Sequence, residues 1–100
     1  MTPTQLTLRH LRETYPLVQV VEHWNPFARR RIDLFGIIDV VAVGADIVAV
    51  QTTSAGNVSA RVKKIAESDA LPTLLKAGIR VIVHGWAKRK GRWQLREVEL

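Results

Sequence analysis

Asp39 interrupts an otherwise apolar run, Ile37-Ile38-Asp39-Val40-Val41, and Gln51-Thr52-Thr53 follows twelve residues later. A carboxylate in such a run is costly to bury unless it is paired, hydrogen-bonded or bound to metal. Gly44-Ala45-Asp46 between the two stretches supplies turn residues. Residues 32–43 and 47–53 therefore read as a hairpin with a three-residue loop. If Val43 pairs with Ile47, then Val41 pairs with Ala49, Asp39 faces Gln51, and Asp39, Gln51 and Thr53 share one surface. Directly opposed Cβ atoms lie about 4.5–5.5 Å apart, so an acid and an amide oxygen can converge on one cation. Mg²⁺ or Mn²⁺ suits such a set, because hard cations take oxygen ligands. A two-residue loop would instead put Asp39 opposite Val50 and break the arrangement. The plainer alternatives are a satisfied structural acid near a sheet edge and an ordinary strand-end amide.

The flanking residues predict the elements that position this pair. Thr2 and Gln5 have capping-box spacing, Pro3 suits a first helical position and Pro16 is a stop, so a helix is expected over 3–14. The Val-rich stretch 17–24 reads as a strand, Asn25-Pro26 as a turn, and Arg29, Arg30 and Arg31 as a basic loop. Ser54 to Asn57 is a polar loop, with Asn57 as the N-cap of a helix to about residue 67. Val58, Val62, Ile65 and Ala66 line one face of that helix, and Arg61 and Lys64 lie off it. A second helical segment over 69–77 ends at Gly78. Strands at 79–86 and 93–100 flank a basic turn at 88–92. The order is αβββααββ, an α/β class in which helices flank a mixed sheet.

One hundred residues, 47% of them hydrophobic, fit one domain, 1–100, with a real core. Fifteen Lys and Arg against nine Asp and Glu leave a net charge of +6, which points to a polyanionic partner or, more plainly, to solubility. Arg29 to Arg31 are placed to meet phosphates. Ser54, Asn57, Arg61, Lys63 and Lys64 lie at a helix start, where backbone N–H groups attract phosphate. The basic turn, Lys88 to Arg92, either extends that track or keeps a hairpin tip soluble. No cysteine is present, which excludes disulfides and thiolate–zinc sites and fits a reducing cytoplasm. The first twelve residues lack a signal-peptide core, and the longest apolar run, 37–43, contains Asp39, so no membrane span is expected. His10, His23 and His84 show no metal spacing, and His84 reads as structural. Trp24, Trp86 and Trp93 read as core or interface residues.

In element order and in the Asp39…Gln51-X-Thr53 spacing, the chain resembles the PD-(D/E)XK nuclease superfamily, in particular compact archaeal Holliday-junction resolvases and small phage nucleases. The resemblance implies a restriction-endonuclease-like fold and phosphodiester hydrolysis assisted by Mg²⁺ or Mn²⁺. Asp39 matches the first acid of the motif, and Gln51-Thr52-Thr53 stands at Glu-X-Lys. Ser54 stands where small polar residues often follow. Glu13 occupies the place of the helix acid, with Glu22 on the first strand as its rival. Asp33, six residues before Asp39 and so on the same face of a regular strand, either adds a further ligand or pairs with Arg31 or its neighbours. The catalytic set implied is thus Asp39, Gln51, Thr53 and Glu13, with Asp39, Gln51 and Glu22 as metal ligands. Gln51 offers an amide oxygen where the family has a carboxylate, and Thr53 brings no charge where the family has lysine. Lys63 or Lys64 would have to supply an ammonium from the next helix. By analogy the expected partners are DNA, branched DNA among them, and a second copy of the chain. The competing functions are a nucleic-acid-binding module that has lost the chemistry and an assembly protein that uses the fold for interaction.

Overall fold

Thr2 and Pro3 start the first helix as their residue types dictate. In a computed structural model describing residues 1–100, the Thr2 hydroxyl accepts the Gln5 N–H at 3.2 Å and the Gln5 side chain accepts the Thr2 N–H at 2.9 Å. Helix α1 runs over Pro3–Leu11, shorter than expected, and residues 12–14 form a turn before Pro16.

The expected first strand divides. Strand β1 (Leu17–Val20) joins the main sheet, while β2 (His23–Asn25) leaves it and pairs antiparallel with β3 (Arg30–Ile32). The expected strand over 32–43 divides as well: β3 stops at Ile32 and β4 covers only Val40–Val43. Between them Phe35 (φ 55°) and Gly36 (φ 77°) lie in the left-handed region, incompatible with an extended strand. Glycine tolerates that region, and no atom stands within 4 Å of where a Gly36 Cβ would be. The turn is closed by a Leu34–Ile38 bridge, with Leu34 N–H donating to the Ile38 carbonyl at 2.9 Å and Ile38 N–H donating back at 3.0 Å. Sequence gives little sign of this turn, because residues 32–43 are apolar apart from Asp33, Gly36 and Asp39 and carry no turn dipeptide.

Strand β5 (Ile47–Ser54) follows in the expected register: Val43 pairs with Ile47 and Val41 with Ala49. A 3₁₀ turn (Ala55–Asn57) leads into α2 (Val58–Ala66), and α3 (Ala70–Lys76) completes the crossover. Strands β6 (Ile79–Arg89) and β7 (Arg92–Glu99) form the last hairpin. The five-stranded sheet has the order β1-β4-β5-β6-β7, antiparallel throughout except for the parallel pair β5–β6.

Alternating side chains on the central strands produce two cores. Ala49, Val81 and Val83 pack with Ile37, Ile38, Val58, Ile65 and Leu74 on the α2–α3 side. Val40, Ala42, Val48, Val50 and Ile82 pack with Leu11 on the α1 side. Gly85, paired with Thr53, lets the start of α2 approach the sheet. A Cβ there would overlap a Val58 methyl and stand 3.1 Å from Ala55 Cα. Trp86 is buried as expected, whereas Trp24 and Trp93 are exposed. No helix is long and apolar enough to cross a membrane.

Candidate active site

The hydrogen-bond ladder carries Asp39 past the start of β4. Its N–H donates to the Val50 carbonyl at 2.9 Å, and its own carbonyl accepts the Val21 N–H at 2.8 Å. The Asp39 side chain, 5% exposed, turns over the end of β5. There Oδ2 accepts the Thr52 N–H at 2.8 Å, the Gln51 amide at 3.3 Å and the Thr52 hydroxyl at 3.3 Å. Thr52 Oγ1 also lies 3.1 Å from the Thr4 hydroxyl, which ties the first turn of α1 to the site.

The Phe35–Gly36 turn supplies the second carboxylate. Asp33 and Asp39 flank the Leu34–Ile38 bridge, so the chain's reversal sets them side by side. A regular strand was expected to bring them to one face; a turn does it instead. Gln51 Nε2 donates to Asp33 Oδ2 at 2.9 Å as well as to Asp39. Glu22, at the root of β2, is the third acid. One carboxylate oxygen from each of Glu22, Asp33 and Asp39 lies within 4.8 Å of the others.

Burial chiefly, then the hydrogen-bonding Asp33 carboxyl, pushes Asp39 up to about 7. The Thr52 N–H opposes that shift, and the charges of Asp33 and Glu22 add to it. Three carboxylates this close stay ionised together only with compensating positive charge. Some comes from the chain: Lys64 Nζ is 3.6 Å from Asp33 and Arg31 is 4.0 Å from Glu22. Asp33 therefore pairs with Lys64, not with Arg31 as considered from sequence.

The site opens into a cleft of about 460 Å³ lined by Glu22, Asp33 and Asp39, by Thr4, Thr52, Thr53 and Ser54, and by Arg31 and Arg61. A second cavity of about 410 Å³ adjoins it, lined by Arg30, Arg31, Arg61 and Lys64 around Asp33. The residue types suit a hard divalent cation: three carboxylates, plus a Gln51 Oε1 that is buried without a hydrogen-bond partner. Gln51 turns its nitrogen to the acids here. Rotating the amide by half a turn would offer Oε1 in its place, an arrangement favoured only with positive charge between the oxygens.

Of the residues singled out from sequence, the structure brings together Asp39, Gln51, Thr53, Ser54, Glu22, Arg31 and Arg61. Glu13 is not among them. It follows α1 and lines a separate cavity of about 270 Å³ with His10, Trp86 and Trp93; the helix presents its opposite end, Pro3 and Thr4, to the cleft. Lys64 reaches the acids, whereas Lys63 lines neither cleft. Asn57 stands at the N-cap of α2 as expected, but its side chain makes no capping hydrogen bond and donates instead to Ser54 Oγ at 3.0 Å. Thr4 and Thr52 escape recognition in the sequence, since small hydroxyl residues carry no signal until the fold sets them beside a carboxylate. No protein-family model matches the chain, and comparison with curated proteins and with solved structures found no match.

Proposed function

We propose that this chain is a metal-dependent DNA endonuclease whose ligands are Glu22, Asp33, Asp39 and the Gln51 amide oxygen. The observation that carries this reading is the convergence of three carboxylates and a buried, half-satisfied amide at the floor of an arginine-rimmed cleft. The sheet supports it: the meander β1-β4-β5, the helical crossover and parallel β6 follow the order expected of a restriction-endonuclease-like fold.

Asp39, held by the Thr52 N–H, would hold the metal together with Asp33 and Glu22. A bound Mg²⁺ or Mn²⁺ supplies phosphate polarisation and a water of lowered pKa. Arg31 and Arg61 line the cleft where a phosphodiester enters and orient it by charge-assisted hydrogen bonds. Thr53 has only a hydroxyl to offer. Lys64, already at the acids, is the ammonium that replaces the missing lysine.

Thr53 favours a second reading, in which the cleft binds nucleic acid and the chemistry is lost. One assay separates them: junction, duplex and single-stranded DNA are incubated with Mg²⁺ or Mn²⁺, with the wild type and with Asp39→Ala and Asp39→Asn. We expect cleavage by the wild type alone, with both variants folded by circular dichroism. Cleavage that persists in both variants contradicts the assignment. Salt-dependent DNA binding without cleavage by the wild type selects the binding module.

A further inference from the structure

Residues 22–33 form an arm that belongs to neither core. Strands β2 and β3 pair only with each other, through His23–Ile32, Trp24–Arg31 and Asn25–Arg30. Its tip is fixed: Asn25 Oδ1 accepts the N–H groups of Phe27 at 2.9 Å and Ala28 at 3.1 Å. This is an Asx turn, which pins the loop conformation.

The tip exposes what proteins ordinarily bury. Phe27 is 97% exposed and Trp24 57%. Arg29, Arg30 and Arg31 are exposed on the same arm; the acids near them lie at its root, Glu22 at 4.0 Å from Arg31 and Asp33 in the cavity that Arg30 and Arg31 line. The roots of the arm carry Glu22 and Asp33, two of the three site acids. A projecting aromatic with adjacent guanidinium groups matches a partner that offers both a π-face and a phosphate chain, which is what single-stranded nucleic acid presents.

We infer that the arm is a single-strand clamp: Phe27 stacks on an unpaired base while Arg29 and Arg30 hold the flanking phosphates. This rests on the nucleic-acid reading above and deepens it, since it names DNA with unpaired bases beside the cleft as the substrate class. Phe27 stands five positions beyond Glu22, the last two of them in the turn at the tip. At about 3.3 Å per strand residue the tip stands roughly 10–15 Å from the acids. That distance spans about three or four stacked nucleotides at about 3.4 Å each. The contacted base therefore lies that far from the phosphate over the acids.

The test is DNA binding in EDTA at low salt, where no cleavage can intervene. Oligonucleotides carrying a single 2-aminopurine are titrated with wild type, Phe27→Ala and Phe27→Tyr. Phe27 touches so little of the protein that its replacement leaves the fold intact. We expect Phe27→Ala to weaken single-strand binding by about 5- to 150-fold, Phe27→Tyr to restore it, and a fully paired duplex to show little change. Equal affinity of wild type and Phe27→Ala for the single strand would overturn the clamp, and so would an equal loss on paired duplex. A wild-type dimer that Phe27→Ala dissociates, with DNA affinity unchanged, would make the arm a self-association surface and overturn it too. Phe27-dependent binding without Mn²⁺-dependent cleavage would sustain the clamp and sink the nuclease, so the two failures are distinguishable.

Discussion

Gln51 donates one amide nitrogen to both Asp33, at 2.9 Å, and Asp39, at 3.3 Å, and so ties together two carboxylates that enter from opposite sides of a tight turn. A cation between those carboxylates would relieve their mutual repulsion, and this is the physical basis of the proposed metal site. The same crowding makes the metal-free protein sensitive to pH.

The Asp39 carboxyl sits near pH 7 in the folded chain and near about 3.9 when unfolded. Between these values the folded state binds more protons, so the Asp39 contribution is fully stabilising below about pH 4 and is lost as pH rises through about 7. In EDTA we expect Asp39→Asn to gain stability relative to wild type as pH is raised from 5 towards 7, by up to about 1.4 kcal/mol for each pH unit climbed. Urea unfolding of both proteins at pH 5 and pH 7 measures it. A constant difference between them would show that Asp39 ionises freely.

His84 has the opposite sign. Trp86 Nε1 donates to Thr7 Oγ1 at 2.9 Å, which leaves the Thr7 proton for His84 Nδ1 at 3.1 Å. The ring proton then lies on Nε2, 3.2 Å from Glu97. Burial outweighs the Glu97 charge and pulls His84 down to about 4, with nearby His10 adding to the fall. Its stabilising effect is complete above about pH 6.5 and disappears as pH falls through about 4. Nitrogen NMR at pH 6 should show a neutral Nε2–H ring, and an imidazolium at that pH would refute the hydrogen-bond order.

Lys64 and Lys63 are neighbours on α2, yet only Lys64 reaches Asp33. Lys64→Ala should lower the cleavage rate by about a hundredfold, the typical cost of losing one group aimed at developing charge. Lys63→Ala should leave the rate within about twofold while removing an equal formal charge, so the comparison controls for steering. Equal losses in the two variants would reduce both to bulk electrostatics.

Gly85→Ala should destabilise the fold by about 1–3 kcal/mol through overpacking against Val58 and the Ala55 backbone. Gly56→Ala has open space around it and serves as the control in the same thermal unfolding experiment. A Gly85→Ala protein as stable as wild type would mean that the start of α2 shifts away from β6 at little cost.

Much of this was legible in the sequence because it depends on local chemistry. The Thr2-Pro3-Gln5 cap and the Gly44–Asp46 turn fixed their elements, and the turn set the register that brings Asp39 to Gln51. Apolar periodicity placed α2 and its core face. The Asn25-Pro26 turn was legible, but Arg30 and Arg31, read as loop, lie in β3, and neither the arm's departure from the main sheet nor the Phe35–Gly36 turn was legible. The Val and Ile content of residues 32–43 is compatible with one long strand, which the left-handed backbone at Phe35 and Gly36 breaks. For the same reason Asp33 was placed by strand alternation and its pairing with Lys64 was missed. Glu13 was drawn in by its position on the helix, but the direction of α1 brings Thr4, not Glu13, to the cleft.

The central claim is that Glu22, Asp33 and Asp39 form a divalent-cation site, and Mn²⁺ binding followed by electron paramagnetic resonance at pH 7.5 tests it most directly. One Mn²⁺ per chain should be taken up by the wild type, and uptake should be lost in Asp39→Asn and weakened in Asp33→Asn. A folded wild type that leaves millimolar Mn²⁺ free, or an Asp39→Asn variant that binds it equally well, would contradict the claim.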